Sequence, residues 1–374
     1  MTSLRSKGAK GNASKMVPAK LPNSKTLSMR EKKKDLTSAM AEGEKLEDFI
    51  QRNLTLQPNT KKSIFEHLVS SRIVADGFLQ YRDRNTRLPV PIPEKRRVKL
   101  AKDDKETKED YVPGQYLKLD NSEYVFLQAP TKDDYQNLWR LAWILQLRVI
   151  ICLSDKLSAT DATLCYPYFP IDSKSPVQVE SGKMTVVYQS KTVNKGYTVY
   201  KVQLRNNELK PEETVKEGEK EEETTLPKNS NCENNITLFH LESWPQNTWP
   251  DLDCLTNLLN DVFKLEMGLL RESLDNYTAP VLIQSHDAVG RAAVAWVGCM
   301  IYKDTEKRDC FDVEEYVRKI AKMRPGAFTS YQMVCSAFCL ALKIAEKSGW
   351  TNTPADTKQR IAEIEKGCKD RKLP

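Results

Sequence analysis

Residues 280–296 read PVLIQSHDAVGRAAVAW. Pro280 precedes an apolar run of strand length, Val281 to Gln284; a short loop carrying Gly290 and Arg291 follows, and the pattern then turns helical. In such a strand–loop–helix unit the backbone N–H groups converge at the helix N-terminus. An arginine at the lip adds bidentate hydrogen bonds, so the stretch has the makings of an anion site. A glycine and an arginine placed for packing alone would leave the same trace, so this spacing by itself leaves both readings open.

Working outward, short β-like runs occupy Tyr111 to Leu119, Glu123 to Leu127, Arg148 to Leu153, Thr185 to Tyr188, Thr198 to Leu204 and Ile236 to Leu241. A helical pattern from Asp134 to Leu147 interrupts them, and helical patterns dominate later, at Leu252 to Glu272, Arg291 to Tyr302, Val313 to Met323, Ser330 to Lys347 and Ala355 to Lys366. Strands followed by helices at these lengths predict an α/β fold, a mixed sheet with helices on its faces. Two amphipathic helices are expected between 43 and 83, and segment 208–230, with eight Glu against three Lys before Thr224, reads as a solvated loop insertion.

The net charge of +7 is unevenly placed: residues 1–40 hold ten Lys or Arg against Glu31 and Asp35, which leaves the rest of the chain close to neutral. The expected organisation is a basic disordered tail over 1–42, one domain over 43–350 and a charged C-terminal helix over 351–374. The tail suits acidic surfaces better than it signals nucleic-acid binding. The longest apolar run, Ala292 to Tyr302, is too short for a membrane span, and the start MTSLRSKGAK has no hydrophobic core of a secretory signal. The odd number of scattered cysteines, nine, predicts reduced thiols in cytoplasm or nucleus. Cys335 and Cys339 share a helix face but lack metal-ligand company and are expected in the core, so no metal or cofactor is predicted.

Ser285 and Arg291 are six apart, the spacing of the C-x5-R phosphate loop, and segments 284–293 resemble the HCSAGVGRTG loop of the protein tyrosine phosphatases. FHLESWPQNTWP (239–250) resembles that family's HFxxWPDxGxP mobile loop, keeping His240, Trp244, Pro245 and Pro250. EYVFLQAPTKDDYQNLWRLAW resembles YIATQGPxxxTxxDFWRMVW, DYVPGQYL resembles DYINANYI, and CYPYFP resembles CxxYWP. The resemblance spans about residues 65 to 345 and implies a highly twisted mixed sheet flanked by helices. It also implies a phosphate-binding loop of Ser285, His286, Asp287, Ala288, Val289, Gly290 and Arg291.

The catalytic positions do not match. Ser285 stands where the family has the nucleophilic cysteine, whose pKa a helix N-terminus pulls down to about 3.5–7.5, and a serine hydroxyl without a base keeps its proton at neutral pH. Gln246 takes the place of the general acid Asp of WPD and has no proton to give. Met333 takes the place of the glutamine that positions water, with Gln332 adjacent. Asp251, in a second Trp-Pro-Asp tripeptide, is the alternative acid. NTRLPVPIPEKRRVKL (85–100) resembles NRYxDIxPxxxxRVxL and puts Arg87 where the family stacks an aromatic ring on phosphotyrosine and Pro89 where an Asp grips the peptide. Asp287, a carboxylate inside the cradle, repels a phosphate or pairs with Arg291.

These losses predict a catalytically inactive phosphatase-like domain acting as an intracellular interaction or regulatory module in phosphotyrosine signalling. Its expected partner is a protein, with kinases and tyrosine-phosphorylated proteins as candidates. Two alternatives stay open: a phosphotyrosine-binding substrate trap, and an active phosphatase with an unorthodox site.

Overall fold

The strand Val281–Ser285 is buried at every position, which requires a strand on each edge and cover on both faces. In the computed structural model the described residues are 76–81, 84–85, 91–100, 107–120, 122–209, 232–246, 248–273, 279–308 and 311–369. The expected tail, most of the two expected N-terminal helices and the expected acidic insertion from 210 onward lie outside them.

The described chain begins with α1 (Asp76–Gln80), β1 (Arg97–Lys99), β2 (Tyr111–Leu119), β3 (Ser122–Gln128), α2 (Tyr135–Ile144), β4 (Val149–Cys152) and β5 (Val177–Val179). It continues through β6 (Met184–Val193), β7 (Tyr197–Asn206), β8 (Glu233–Leu241), α3 (Leu252–Glu272), β9 (Val281–Ser285), α4 (Arg291–Arg308), α5 (Val313–Met323), α6 (Tyr331–Lys347) and α7 (Pro354–Lys369).

The strands among the described residues form one nine-stranded sheet in the order β1-β2-β3-β9-β4-β8-β7-β6-β5. The middle of it, β3-β9-β4-β8, is parallel, and both flanks are antiparallel. Period-two side-chain alternation sorts the central residues between two cores. Tyr124, Phe126, Val149, Ile151, Val281 and Ile283 enter one with α3 to α6. Val125, Leu127, Ile150, Cys152 and Leu282 enter the other with Leu138, Trp139 and Leu141 of α2. Helix α4 is buried at every position from Ala292 to Ile301, which explains why this stretch of it is an uninterrupted apolar run.

Helices α3 and α5 match their expected bounds because each starts on an aspartate cap: Asp251 accepts the Cys254 N–H and Asp312 the Glu315 N–H. The expected strand Thr185 to Tyr188 is longer in the structure. Residues 189–193 are polar or exposed on both faces, so no hydrophobic alternation betrays them, and backbone pairing to β7 carries them. The C-terminal helix docks on its own domain: Ile361 joins the core and Gln332 Nε2 donates to the Cys368 carbonyl at 2.9 Å. Cys335 and Cys339 are core residues of α6.

Helices α3, α4 and α6 meet at Gly298, where an added Cβ would lie 2.5 Å from Leu259 Cδ1 and 2.9 Å from Leu340 Cδ2. Gly298→Val is therefore expected to destabilise the domain by about 1–3 kcal/mol or more through overpacking. The midpoint of urea unfolding, read by tryptophan fluorescence, checks this; an unchanged midpoint would show that the helices are not this close.

Candidate functional site

The loop from Ser285 to Arg291 joins the fully buried strand β9 to helix α4, itself buried from Arg291 to Tyr302. It lies at the carboxyl ends of the parallel strands, where open α/β sheets place their ligand sites. Two left-handed residues, Ala288 (φ 56°) and Gly290 (φ 55°), coil it. Its neighbours hold it through the main chain: Ala129 N–H donates to the His286 carbonyl at 3.3 Å and Gly290 N–H to the Ala327 carbonyl at 2.6 Å. From below, Arg324 Nε reaches the Ala288 carbonyl at 3.5 Å while its Nη1 donates to the Pro91 carbonyl at 2.5 Å. Burial pulls the Arg324 guanidinium down to about 10, against the attraction of Asp287 and Tyr111.

Ser285 is fully buried, and its Oγ donates to the Val289 carbonyl at 3.3 Å. No imidazole or carboxylate forms a hydrogen bond with that hydroxyl among the described residues, so nothing there can take its proton. Gln284, one residue earlier, donates through Nε2 to Ser154 Oγ at 2.7 Å.

Could a cysteine substitute? Burial pushes the Cys152 thiol up, but hydrogen bonding from Cys165, the His240 charge, the Ser154 backbone and Tyr168 bring it down to about 6. Cys152 is paired in register with Gln284, not Ser285, and so lies on the opposite face of the sheet in the second core. It is sealed away from the loop.

Arg291 is buried, and its Nη1 donates to the Trp244 carbonyl at 2.8 Å and to Asp155 Oδ1 at 3.2 Å. The ion-pair partner is thus Asp155, from the segment after β4, and not Asp287 as one sequence-based alternative had it. Burial pushes the Asp287 carboxyl up. The Arg291 charge, the backbone N–H groups of Asp287 and Val289 and the Arg324 charge draw it partly back.

Trp244 is fully buried, and its Nε1 donates to the Thr248 carbonyl at 3.0 Å. Thr248 in turn donates from Oγ1 to the Pro245 carbonyl at 2.7 Å, closing a turn on which Gln246 is exposed. Asp251, the alternative acid, is the α3 cap, with its Oδ1 accepting the Cys254 N–H at 3.0 Å. Met333 is buried in the first turn of α6, its Cγ and Sδ each 3.8 Å from where a Gly290 Cβ would sit. Gln332, whose register could have slipped into that role, is turned to α7. Arg87 and Pro89 lie outside the described residues.

The structure thus assembles Ser285 to Arg291 and Met333, and sets Gln246 on the neighbouring exposed turn. Sequence reading missed Asp155 and Arg324. The available signals were local only, an acid just past the strand-like run Arg148 to Leu153 and an arginine beside Pro325 and Gly326 at the end of a helix, and neither encodes its partner.

A β-branched residue tolerates the left-handed conformation of Ala288 poorly, and this position is also buried. Ala288→Val should cost about 2 kcal/mol or more, combining the left-handed penalty with overpacking. Ala288→Gly should stay within about 1 kcal/mol of the natural chain, because relief of strain offsets lost burial and added unfolded-state entropy. Equilibrium denaturation of both variants tests this; equal destabilisation by both would refute the assigned backbone conformation.

A sequence model of the family described as protein-tyrosine phosphatase matches residues 81–342. Tyrosine-protein phosphatase non-receptor type 20 of Mus musculus is 22% identical over 323 residues, which cover 85% of this chain and 65% of that protein. Receptor-type tyrosine-protein phosphatase H of Homo sapiens is 22% identical over 233 residues, 61% of this chain and 18% of its own length. Receptor-type tyrosine-protein phosphatase zeta of Homo sapiens is 32% identical over 120 residues, 30% of this chain and 5% of its own. The chain therefore spans less than two thirds of the length of each of these relatives. With a family match over most of its length, and with the matching loop set at the carboxyl end of a twisted mixed sheet, the chain belongs to the protein-tyrosine phosphatase family.

Proposed function

We propose that this phosphatase-family domain is catalytically inactive and works as an intracellular interaction or regulatory module in phosphotyrosine signalling. The observation that carries the reading is the hydroxyl of Ser285, which donates to the Val289 carbonyl at 3.3 Å with no base bonded to it. A hydroxyl in that state is a poor nucleophile toward a phosphate dianion. Gln246 adds no proton for a leaving oxygen, and Asp251 is committed to capping a helix.

The partner is a protein, with kinases and tyrosine-phosphorylated proteins as candidate classes, met in the cytoplasm or nucleus through surfaces outside the cradle. In this reading residues 1–42 are a basic tail suited to acidic surfaces, 43–350 the binding domain and 351–374 a docked helix. No helix among the described residues is long and apolar enough to cross a membrane. A substrate trap is the second reading, favoured by one observation: Arg291 still stands at the loop's end.

The test is turnover of a phosphotyrosyl peptide by the natural chain and by Arg291→Ala, beside capture of phosphorylated and unphosphorylated peptide libraries. The expected results are no turnover that depends on Arg291, and partner capture indifferent both to phosphorylation and to Arg291→Ala. Turnover lost in Arg291→Ala overturns the inactive reading; capture that requires both phosphate and Arg291 replaces the module with the trap.

A further inference from the structure

Strand β5 ends the sheet on one side, and side chains from the start of α2 meet its outer edge. Tyr135 Oη donates to the Gln178 carbonyl at 3.1 Å, and the Glu180 N–H donates to Gln136 Oε1 at 2.7 Å. Beside this edge lies a cleft of about 410 Å³, none of whose lining belongs to the cradle. Tyr135 and Tyr166 line it together, their ring centroids 5.1 Å apart and their planes inclined at 33°. Pro167, Pro170 and Pro176 contribute as well, and Ile171 is 52% exposed there. Because each proline fixes its own φ, this lining is held in shape without a ligand. Asp172 is the one charged side chain in the lining among the described residues. Its Oδ1 accepts the Lys174 N–H at 2.9 Å, and no cation pairs with its carboxylate among the described residues.

We infer that this cleft is a docking site for a proline-rich segment of a partner protein, one that carries an arginine or lysine beside its prolines. The inference gives the interaction module proposed above a surface and a partner class, and rests on that reading in placing the partner outside the cradle. Three observations select this occupant. Paired tyrosine faces suit pyrrolidine rings, since a polyproline II segment is pre-ordered and docks on aromatic-lined grooves. Main-chain groups that would otherwise be open to an added β-strand are taken by Tyr135 and Gln136, whereas a proline has no N–H to place on a strand edge. The unpaired Asp172 carboxylate sets the sign of the flank: a cation gains an ion pair there, and an acidic flank is repelled.

The structural alternative is that the two rings only pin segment 166–178 to α2. Pinning predicts a loss of stability when a ring is removed and no ligand. Docking predicts a saturable ligand whose affinity follows both the ring and the Asp172 charge. Asp172→Asn isolates the charge, because an asparagine oxygen can still accept the Lys174 N–H.

The experiment measures fluorescence anisotropy of labelled synthetic peptides with the natural full-length chain, Asp172→Asn and Tyr166→Ala, at low and at high salt. The probes are peptides with two prolines separated by two variable residues, flanked by arginine or by glutamate, beside proline-free peptides of the same charge. Far-UV circular dichroism and a thermal melt establish that each variant is folded. The expected result is saturable binding of the arginine-flanked proline peptides, weakened about twofold to fivefold by Asp172→Asn and at least about tenfold by Tyr166→Ala, with the Asp172-dependent part lost at high salt. Proline peptides that bind no better than proline-free ones overturn the inference, as does a preference for the glutamate flank or binding that both folded variants leave unchanged. Should Tyr166→Ala fail to fold, Asp172→Asn and the peptide series decide. No arm reads turnover: hydrolysis of phosphotyrosine by the natural chain would sink the non-catalytic reading, while absence of proline-dependent binding would sink only this one.

Discussion

Burial of β9 on both faces and pairing on both edges is the constraint from which the site follows. With β3 in register on one side and β4 on the other, the position at which the chain leaves the sheet is fixed at Ser285. Helix α4, packed among α3, α5 and α6, fixes where it must re-enter at Arg291. The few residues between these two packed elements make the turn through left-handed Ala288 and Gly290. None of this requires a thiol, an acid or a bound phosphate. The cradle's shape is a property of sheet and helix packing, so the loop can outlast its chemistry.

That division also explains what was legible in the sequence. Elements with local signals were legible: β2, α3 and α5 fall on the bounds their apolar patterns predict, although the patterns do not show the caps that start the two helices, and Asp251 reads there as an alternative acid. The loop's identity was legible through its spacing and its flanking segments. Roles that depend on sheet order were not. Asp155 meets Arg291 across 136 residues of sequence because β4 lies beside β9, and no periodicity encodes that adjacency. Arg324 likewise reaches Pro91 across 233 residues. The polar end of β6 was invisible for the opposite reason: its pairing is carried by the backbone, and its exposed side chains leave no alternating signal.

The chemistry of Ser285 turns on which way its proton points. A nucleophile's hydroxyl must present its proton to a base and its lone pair to the substrate; here the proton is directed at the Val289 carbonyl, inside the loop itself. A carbonyl oxygen is an acceptor but not a base at neutral pH, so this bond orders the side chain without activating it. The positive end of α4 cannot compensate. Even the shift of about one to five units that brings a cysteine at a helix N-terminus into the thiolate range leaves an alcohol far above neutrality. The same field that would make a thiolate at this position has nothing to act on when the atom is oxygen.

Arg291 shows how the loop is held in order by partners within the protein. A buried guanidinium left without a partner would cost several kcal/mol, so a loop built to hold an anion would be destabilised whenever the anion was absent. Here the Asp155 carboxylate and the Trp244 carbonyl meet that need from within the protein, at 3.2 and 2.8 Å. One side chain thereby ties the start of α4 to the segments that follow β4 and β8, and Trp244 extends the tie through Thr248 to the turn bearing Gln246. Where catalysis depends on a loop closing over substrate, binding energy is spent on the closure. For a module that acts by being recognised, the favourable arrangement is a surface already in one conformation, since a partner then spends nothing on ordering it. The internal pairing of Arg291 suits the second task better than the first.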